Sequence, residues 1–434
     1  MGLGKLGAPL AACLAAKGIP TIGVDSDARK VKAVTAGRPP VCEPRLQEMM
    51  KRGRGRLTAT SDGEAAVMAS SITFIVVPTP SGPGGRFSTK FVLPAARIIA
   101  RAMARKKEYH LVALTSTVMP GTTEKELKPL LEAHSGKKCG RDFGLCYSPE
   151  FIALGSVVRD LCNPDFVLIG ESDLRAGRTL AQVYRKLCDN HPRFARTNFV
   201  NAELAKLAVN TFVTAKISFA NLLARLCERL PGADVDAVTA AVGMDSRIGS
   251  KYLKGAIGYG GPCFPRDNLA LAALAKAHRV PSILPRGTDA FNRRQVRWLA
   301  KLVKSHLPRG KKVGILGLSY KPESDVTEES QGVFLAEQLA QDGIAVIAYD
   351  PIAMDNARRV LGRSIQWARS AQECFRKSNV AVITTPWKEF REIHLSSGTL
   401  RNPKSLFDCW RLLRDSKKPA DLRYFPLGIG GLVH

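Results

Sequence analysis

The stretch Gly2-Leu3-Gly4-Lys5-Leu6-Gly7 decides the fold, because it fits the pattern G-x-G-x-x-G and runs directly into a helical segment at residues 8–17. Glycines in such a turn allow a tight bend and a close approach to a pyrophosphate, which the helix N-terminus then faces. Asp25 ends the predicted strand Thr21–Val24, where a carboxylate binds ribose hydroxyls and disfavours a 2′-phosphate. The stretch therefore predicts an NAD site rather than an NADP site. The alternative is a glycine-rich turn beside a surface aspartate.

The same pattern requires a strand before its first glycine, since the turn joins a central strand of a parallel sheet to its helix. Only Met1 precedes Gly2 in this sequence. We therefore expect that the first strand is missing from the chain as numbered, and that about half a dozen residues belong upstream of Met1.

Short apolar runs alternate with helix-length segments on both sides of a helical middle. The predicted strands are Thr21–Val24, 72–77, 111–116, 144–147 and 166–170, and then 313–318, Ala345–Tyr349, 380–384 and 406–408. Runs rich in Val and Ile that are separated by helices indicate parallel sheets with crossover helices. Residues 201–229 instead repeat apolar side chains at three- and four-residue steps, which predicts one long helix.

This order predicts an α/β protein with two Rossmann-like doubly wound domains joined by a central all-helical domain that contains the long helix. The predicted domain boundaries are 1–195, 196–305 and 306–434, with linkers near 191–200 and 305–312.

Composition excludes several classes of protein. The chain has 434 residues, of which 45% are hydrophobic and 24% charged, as in a globular chain of two or three domains. No uninterrupted apolar run reaches about 18 residues, so we expect no membrane partner. The first residues do not resemble a signal peptide. Ten cysteines without a C-x-x-C pair predict reduced thiols in the cytoplasm, with neither a disulfide scaffold nor a metal site.

The charge balance is unusual, since 65 Lys and Arg against 38 Asp and Glu leave +27. Such a field attracts polyanions. The basic clusters at 51–56, 105–107 and 309–312 each lie beside an apolar segment, where a solvated surface is the ordinary explanation. We expect no nucleic-acid partner, because a phosphate-bearing small substrate explains part of the excess.

A second informative stretch is Gly258-Tyr259-Gly260-Gly261-Pro262-Cys263-Phe264-Pro265-Arg266-Asp267. Its glycines allow the backbone to approach a ligand closely, and a predicted helix at 268–278 follows at once. A helix N-terminus and the neighbouring Arg266 both favour the thiolate of Cys263. The stretch predicts a reactive thiol. The alternative is a buried, inert cysteine.

With further motifs, the chain resembles the UDP-glucose/GDP-mannose dehydrogenase family of nucleotide-sugar 6-dehydrogenases. The motifs, in family order, are 2–7, Val77-Pro78-Thr79-Pro80, Ser116-Thr117-Val118-Met119-Pro120-Gly121-Thr122, Ser148-Pro149-Glu150-Phe151, 202–210, the Cys263 loop and Gly317-Leu318-Ser319-Tyr320-Lys321-Pro322. The resemblance implies an enzyme that oxidises the C6 alcohol of a nucleotide sugar to the carboxylate with two NAD per turnover. The expected substrate is UDP-glucose, while UDP-N-acetylmannosamine and GDP-mannose stay open. An inactive, basic polyanion-binding protein is the alternative from another class.

The resemblance also implies roles for single residues. Lys206 and Asp267, with Asn210 one helical turn beyond Lys206, serve the first oxidation. Cys263 attacks the aldehyde to give a thiohemiacetal, which the second oxidation converts to a thioester. Glu150 is the base that hydrolyses this thioester, and Thr117 is its companion near the nicotinamide.

Binding residues follow from the same resemblance. Cofactor contacts are expected from Gly2, Gly4, Lys5, Leu6, Gly7, Asp25, Lys30, Pro78, Thr79, Ser116, Thr117 and Arg266. Substrate contacts are expected from Glu150, Phe151, Ile152, Lys206, Asn210, Arg247, Tyr252, Lys254, Gly260, Tyr320, Lys321 and Arg411. Arg247 is expected to reach the substrate of a neighbouring subunit, which implies a homodimer or a larger assembly. The first domain would bind NAD, the second would mediate dimerisation, and the third would bind the UDP-sugar.

Three positions depart from the family pattern. Trp410 stands where the family usually has an arginine, which weakens the assignment of Arg411. Leu154 replaces a frequent glutamate and Glu328 a frequent arginine. The roles that the resemblance implies for residues around the cofactor are therefore the ones least applicable to this chain.

Overall fold

The computed structural model describes residues 1–308, 310–395 and 404–431, so Arg309 of the basic cluster at 309–312 lies outside the described residues. The chain divides into two compact units, Met1–Ala208 and Val209–His434. Each unit contains parallel strands with crossover helices, as the sequence predicts.

The first unit follows the predicted alternation of strands and helices. Its strands are β1 (Thr21–Val24), β2 (Leu57–Thr60), β3 (Ile72–Ile75), β4 (His110–Leu114), β5 (Phe143–Tyr147), β6 (Phe166–Glu171) and β7 (Arg193–Thr197). Its helices are α1 (Gly7–Ala16), α2 (Ala28–Thr35), α3 (Leu46–Arg52), α4 (Gly63–Met68), α5 (Val92–Arg105), α6 (Lys128–Ser135), α7 (Val157–Cys162) and α8 (Leu174–Leu187), with a 3-10 helix at Pro83–Gly85 and a π-helix at Thr123–Leu127.

The strands of this unit form a two-stranded sheet, β1-β2, and a five-stranded sheet in the order β3-β4-β5-β6-β7. All pairs are parallel except β5 with β6, which run antiparallel, so the expectation of an all-parallel sheet is wrong at that pair. Alternate residues of β4 belong to different hydrophobic clusters: Leu111 packs in one and Val112 in the other. Side chains alternate between the two faces of a strand, so helices cover both faces of this sheet.

A gap separates the two sheets where the first strand was expected. Within the described residues β1 pairs only with β2, and β3 pairs only with β4. Met1 and Gly2 bridge the two sheets at one end, because the Met1 amine donates to the Phe74 carbonyl oxygen (2.7 Å) and the Gly2 amide donates to that of Val24 (2.7 Å). Beyond them lies a cavity of about 400 Å³.

The long helix α9 (Phe199–Cys227) begins and ends two residues before its predicted limits. It runs from the first unit into the second. By length and composition alone α9 could cross a membrane, since an 18-residue window has a mean hydropathy of 1.3. This corrects the expectation from the sequence that no segment is long and apolar enough to cross a membrane. Buried polar side chains such as Glu203 and Asn210 interrupt its apolar sequence, which is why no continuous run was seen.

The second unit repeats the α/β arrangement after further helices. Its helices are α10 (Val235–Met244), α11 (Phe264–Ala277), α12 (Ile283–Ser305), α13 (Gln331–Gln341), α14 (Met354–Leu361) and α15 (Ala371–Lys377), with a 3-10 helix at Lys388–Glu392. Its strands are β8 (Lys312–Leu316), β9 (Ala345–Tyr349), β10 (Gln366–Trp367), β11 (Val380–Ile383), β12 (Lys404–Asp408) and β13 (Leu422–Pro426). They form a parallel sheet in the order β10-β9-β8-β11-β12-β13.

Candidate active site

The glycine turn of the first unit has the geometry of a phosphate-binding turn. A side chain at Gly7 would collide with the backbone oxygen of Gly2, whereas a Cβ at Gly4 would meet no atom within 4 Å. Gly7 therefore permits close packing between turn and helix, and Gly4 leaves open space for a ligand. The Lys5 side chain is exposed, and Leu6 packs at the start of α1.

Asp25 lies at the carboxyl end of β1 and closes this turn. Its carboxylate accepts hydrogen bonds from the backbone of Leu3 (2.7 Å) and Asp27 (2.9 Å), and Lys30 Nζ lies 3.3 Å away. Burial disfavours the charged form, but these donors outweigh it and lower the pKa of Asp25. A carboxylate in this position can accept hydrogen bonds from ribose hydroxyls.

The other predicted cofactor residues follow neighbouring parallel strands. Pro78 and Thr79 come after β3, while Ser116 and Thr117 come after β4. Ser116 Oγ accepts a hydrogen bond from the Val77 amide (2.9 Å), which ties the two loops together. Carboxyl ends of parallel strands meet at one edge of a sheet, so these loops share the edge at which such sheets bind ligands.

Glu150 and Lys206 are in contact in the first unit. Lys206 Nζ donates to the backbone oxygen of Glu150 (2.7 Å) and lies 4.6 Å from the centre of the Phe151 ring. Burial raises the pKa of Glu150 to about 7, although a hydrogen bond from Tyr184 and the charge of Lys206 oppose the rise. A carboxyl group with this pKa can act as a general base near neutral pH. The next residue predicted to bind substrate, Ile152, packs against the hydrophobic core.

Asn210 and Asp267 form a buried pair in the second unit. Asn210 Nδ2 donates to Asp267 Oδ2 at 2.5 Å, and Arg266 Nε lies 3.7 Å from the other carboxylate oxygen. Asp267 is 1% exposed and lies in the first turn of α11, where the helix dipole stabilises its negative charge. Asn210 thus holds the carboxylate in one orientation.

Cys263 is exposed, which excludes the alternative of a buried, inert cysteine. Helix α11 begins at Phe264 rather than at the predicted residue 268, so the thiol lies directly at the helix N-terminus. The backbone of Tyr259 in the preceding loop is held by Asn292, which bonds both its amide and its carbonyl oxygen (2.9 Å each), and by Gln331 (2.8 Å). The sequence analysis did not identify Asn292 or Gln331, since a single amide side chain on a helix forms no recognisable sequence motif.

The remaining predicted substrate residues of the second unit fall into two groups. Gly260 is buried against the backbone of Glu329, while Gly261 packs against the ring of Tyr320, with Lys321 Nζ 5.9 Å from the centre of that ring. Tyr252 and Lys254 are exposed, and so is Arg247, which pairs with Asp245 (2.6 Å). These side chains lie at the surface of the second unit.

Arg411 is placed differently from the prediction. Its side chain is 1% exposed, and its guanidinium bonds both carboxylate oxygens of Asp236 (2.6 and 2.9 Å) and the carbonyl oxygens of Gly255 and Leu427 (2.7 Å each). These partners engage the whole guanidinium group within the second unit. Arg411 therefore has a structural role here, and we leave it out of the proposed substrate site.

Family models of the UDP-glucose/GDP-mannose dehydrogenase family match nearly the whole chain. The NAD binding domain matches residues 1–188, the central domain 200–294 and the UDP binding domain 314–415.

Individual relatives are similar over most of their length. A UDP-glucose 6-dehydrogenase of Haloferax volcanii is 36% identical over 394 residues, which cover 90% of this chain and 91% of the relative. A GDP-mannose 6-dehydrogenase of Pseudomonas aeruginosa is 35% identical over 372 residues, covering 85% and 81%. The solved structure of a UDP-glucose dehydrogenase from Pyrobaculum islandicum superposes with a TM-score of 0.89 at 34% identity, covering 99% and 96%.

Proposed function

The chain belongs to the UDP-glucose/GDP-mannose dehydrogenase family, and on this premise we propose that it oxidises the C6 alcohol of UDP-glucose to the carboxylate with NAD as oxidant. The observation that carries the proposal is the exposed thiol of Cys263 at a helix N-terminus, four residues before the buried Asp267. An alcohol dehydrogenase that stops at the aldehyde needs no such thiol. A four-electron oxidation makes use of one, because a thiohemiacetal keeps the aldehyde in the site and presents its C–H bond for the second oxidation.

The glycine turn, Asp25 and the loops after β3 and β4 fit a bound NAD. Gly4 leaves space for its pyrophosphate, and the lowered pKa of Asp25 keeps a carboxylate for the ribose hydroxyls. When bound there, NAD supplies the acceptor for the two hydrides that leave C6.

In the first oxidation, Lys206 and Asp267 assist the removal of the proton from the C6 hydroxyl. Lys206 stabilises the developing alkoxide by its positive charge, while Asp267, oriented by Asn210, takes the proton through a water. In the second, the Cys263 thiolate bonds to the aldehyde carbon, and loss of a hydride from the carbon and of the proton from the hydroxyl of this thiohemiacetal leaves a thioester.

Hydrolysis of the thioester completes the reaction. Glu150 takes a proton from water, the water oxygen bonds to the carbonyl carbon, and the carbon–sulfur bond breaks as Cys263 leaves as a thiolate. The pKa of Glu150, about 7, suits it to this role.

UDP-N-acetylmannosamine and GDP-mannose are alternative substrates, and relatives named for GDP-mannose are nearly as similar as those named for UDP-glucose. Initial rates of NADH formation with the three sugars test the choice. We expect kcat/KM for UDP-glucose to exceed the others by about tenfold or more. A higher value for another sugar would reassign the substrate. Absence of NADH with every sugar, together with binding to polyanions, would support the inactive alternative.

The domain boundaries stay part of the proposal, with 1–195 binding NAD, 196–305 central and 306–434 binding the UDP-sugar. The ranges of the three family models support this division. Because none of the ten cysteines, all of them described, forms a disulfide, a reducing compartment such as the cytoplasm suits the chain.

Self-association is also part of the proposal. In the second unit, α9 exposes apolar side chains along one face: Phe212 is 69% exposed, and Phe219, Leu222 and Leu226 are between 42% and 50% exposed. Exposed apolar stripes of this kind mark interaction surfaces, and a two-fold homodimer is the commonest way to cover one. The exposed Arg247 then reaches the substrate of the partner subunit.

A further inference from the structure

Tyr184 on α8 is a buried phenol that the reaction scheme above leaves without a role. It is 2% exposed, and its hydroxyl donates to Glu150 Oε1 at 2.7 Å. Ser148 follows β5, and its hydroxyl shares one proton between the Tyr184 hydroxyl and the Leu168 carbonyl oxygen, each 3.1 Å from Ser148 Oγ. Two hydroxyl groups therefore form a chain that ends on one oxygen of the Glu150 carboxylate.

We propose that Tyr184 is a positioning residue that fixes one oxygen of Glu150 and leaves the other to take the proton from the hydrolytic water. The inference rests on the proposed function, since Glu150 is a base only in that reaction. A carboxylate held at one oxygen by a packed, buried donor keeps one orientation, and general-base catalysis depends on that orientation.

Three charged or titratable groups of the first unit face Glu150: Tyr184 on α8, Lys206 on α9 and Cys188 after α8. Burial, and then the charge of Glu150, raise the pKa of Tyr184 well above its ordinary value, so the phenol keeps its proton and donates. Burial also raises the pKa of Cys188 to about 12, so this thiol stays neutral. Tyr184 and Cys188 therefore stay neutral near pH 7, whereas the protonation of Glu150 changes there.

The sign of the effect of Tyr184→Phe follows from this arrangement. The phenol bonds the charged form of Glu150, so its removal raises the pKa of the carboxyl group. Hydrolysis requires the carboxylate and speeds up as pH rises through that pKa. In the variant this rise should occur about one pH unit higher, which makes hydrolysis about fivefold slower at pH 7 and about tenfold slower well below that pH. Near pH 9.5 the variant should be within about twofold of the wild type.

The test is a pH profile of thioester hydrolysis in the full chain with NAD and UDP-glucose. Acid-quenched intact-protein mass measures the sugar adduct on Cys263, and uronate release measures hydrolysis. Tyr184→Phe should accumulate the adduct at pH 7 and lose it at high pH. Tyr109→Phe is the matched control, because the buried Tyr109 hydroxyl has no hydrogen-bond partner among the described residues. Its profile should match the wild type.

The outcomes separate this inference from the proposed function. If the wild type forms neither NADH nor an adduct with any of the three sugars, the proposed function fails. If the wild type reacts as expected and Tyr184→Phe is slower by the same factor at every pH, Tyr184 is merely structural and the inference is overturned. Should Tyr184→Phe not fold, Ser148→Ala keeps the phenol and removes the hydroxyl that bonds it, together with the bond of that hydroxyl to the Leu168 carbonyl oxygen. A smaller shift to higher pH would support the inference, and an unshifted profile would overturn it.

Discussion

Cys263 owes its chemistry to its place in the chain. It directly precedes α11, and the positive end of a helix dipole favours a thiolate there. The loop before it is held by Asn292 and Gln331 through the backbone of Tyr259. The thiol is thus exposed, while hydrogen bonds to the preceding loop hold the backbone on its N-terminal side.

We predict that Cys263→Ser blocks the second oxidation, slowing it by about a thousandfold or more, because a neutral hydroxyl is a far poorer nucleophile than a thiolate. Binding of the nucleotide sugar should persist. The measurement is NADH formed per sugar, with Cys42→Ser as a control that alters another exposed thiol. A Cys263→Ser enzyme that forms two NADH per sugar at the wild-type rate would exclude the thiol from the reaction.

Arg411 shows how a motif residue can be used by the fold instead of the ligand. We expect Arg411→Ala to lower the free energy of unfolding by about 3 kcal/mol, since it leaves buried carbonyl groups and Asp236 without their cation. Arg414→Ala is the control, because Arg414 is half exposed in its pair with Asp234 and should cost less than about 1 kcal/mol. If urea denaturation shows that both variants lower the free energy of unfolding by the same amount, this role for Arg411 is refuted.

The role of a single residue could be predicted where its chemistry requires a contiguous sequence motif. The glycine turn, Asp25 and the Cys263 loop are contiguous signals, and the structure places them as expected at strand and helix ends. Tyr184 and Arg411 act through partners that are distant in sequence, 34 residues for Tyr184 and Glu150. Only the folded chain reveals such pairs, so the roles of both residues escaped the sequence analysis.

Among the secondary-structure elements, buried strands were the most predictable. β4 and β5 are fully buried and read as continuous apolar runs. The strands that were missed are β2, β7, β10 and β13. β2 and β7 are polar and half exposed, β10 has two residues, and β13 ends a sheet. β7 also occupies half of the predicted linker at 191–200. Strands at the ends of sheets bury less surface, so their sequences carry less hydrophobic pattern.

The space between β1 and β3 has room for a further strand, and the expected first strand stays a prediction. Met1 and Gly2 bond both strands as the carboxyl end of a central strand would, and the cavity beyond them is lined by Thr21, Ile22, Ile72 and Thr73. Burial lowers the pKa of the Met1 amine to about 6, although the charge of Asp25 opposes this. A peptide bond to an upstream residue would replace this buried charge by an amide.

We predict that six apolar, β-branched residues joined to Met1 raise the melting temperature and the affinity for NAD, because they complete the hydrogen bonds of both strands. A Gly/Ser extension of equal length is the control. The free energy of unfolding of the chain as numbered should also increase as pH rises from 6 to 8, because the Met1 amine keeps its proton to a higher pH in the unfolded state than in the folded state. Both extensions should remove this trend. Equal melting temperatures and equal NAD affinity for the three chains would contradict the expected strand.

For the whole molecule, the two α/β parts and the long helix follow from the order of apolar runs, whereas assembly depends on surfaces that a pattern of runs does not specify. Several apolar residues of α9, among them Phe212 and Phe219, are exposed in the single chain. A helix that buries polar side chains and exposes apolar ones is suited to pack against a second copy.

We predict that co-expressed Arg247→Ala and Cys263→Ser chains regain activity that neither has alone. If Arg247 reaches the partner's substrate, one of the two sites in a mixed dimer contains both intact residues. Random assembly then gives about a quarter of the wild-type activity. Sedimentation at the assay concentration checks the state of assembly. A fully active monomer, or mixed dimers without activity, would contradict the arrangement.

The central claim is that one site carries out two successive oxidations of a nucleotide sugar. The most direct measurement is the ratio of NADH formed to UDP-glucose consumed when limiting sugar is converted to completion with excess NAD. We predict two NADH and one UDP-glucuronate per UDP-glucose, with no free aldehyde trapped by an added amine. One NADH per sugar with a trapped aldehyde, or no NADH at all, would contradict it.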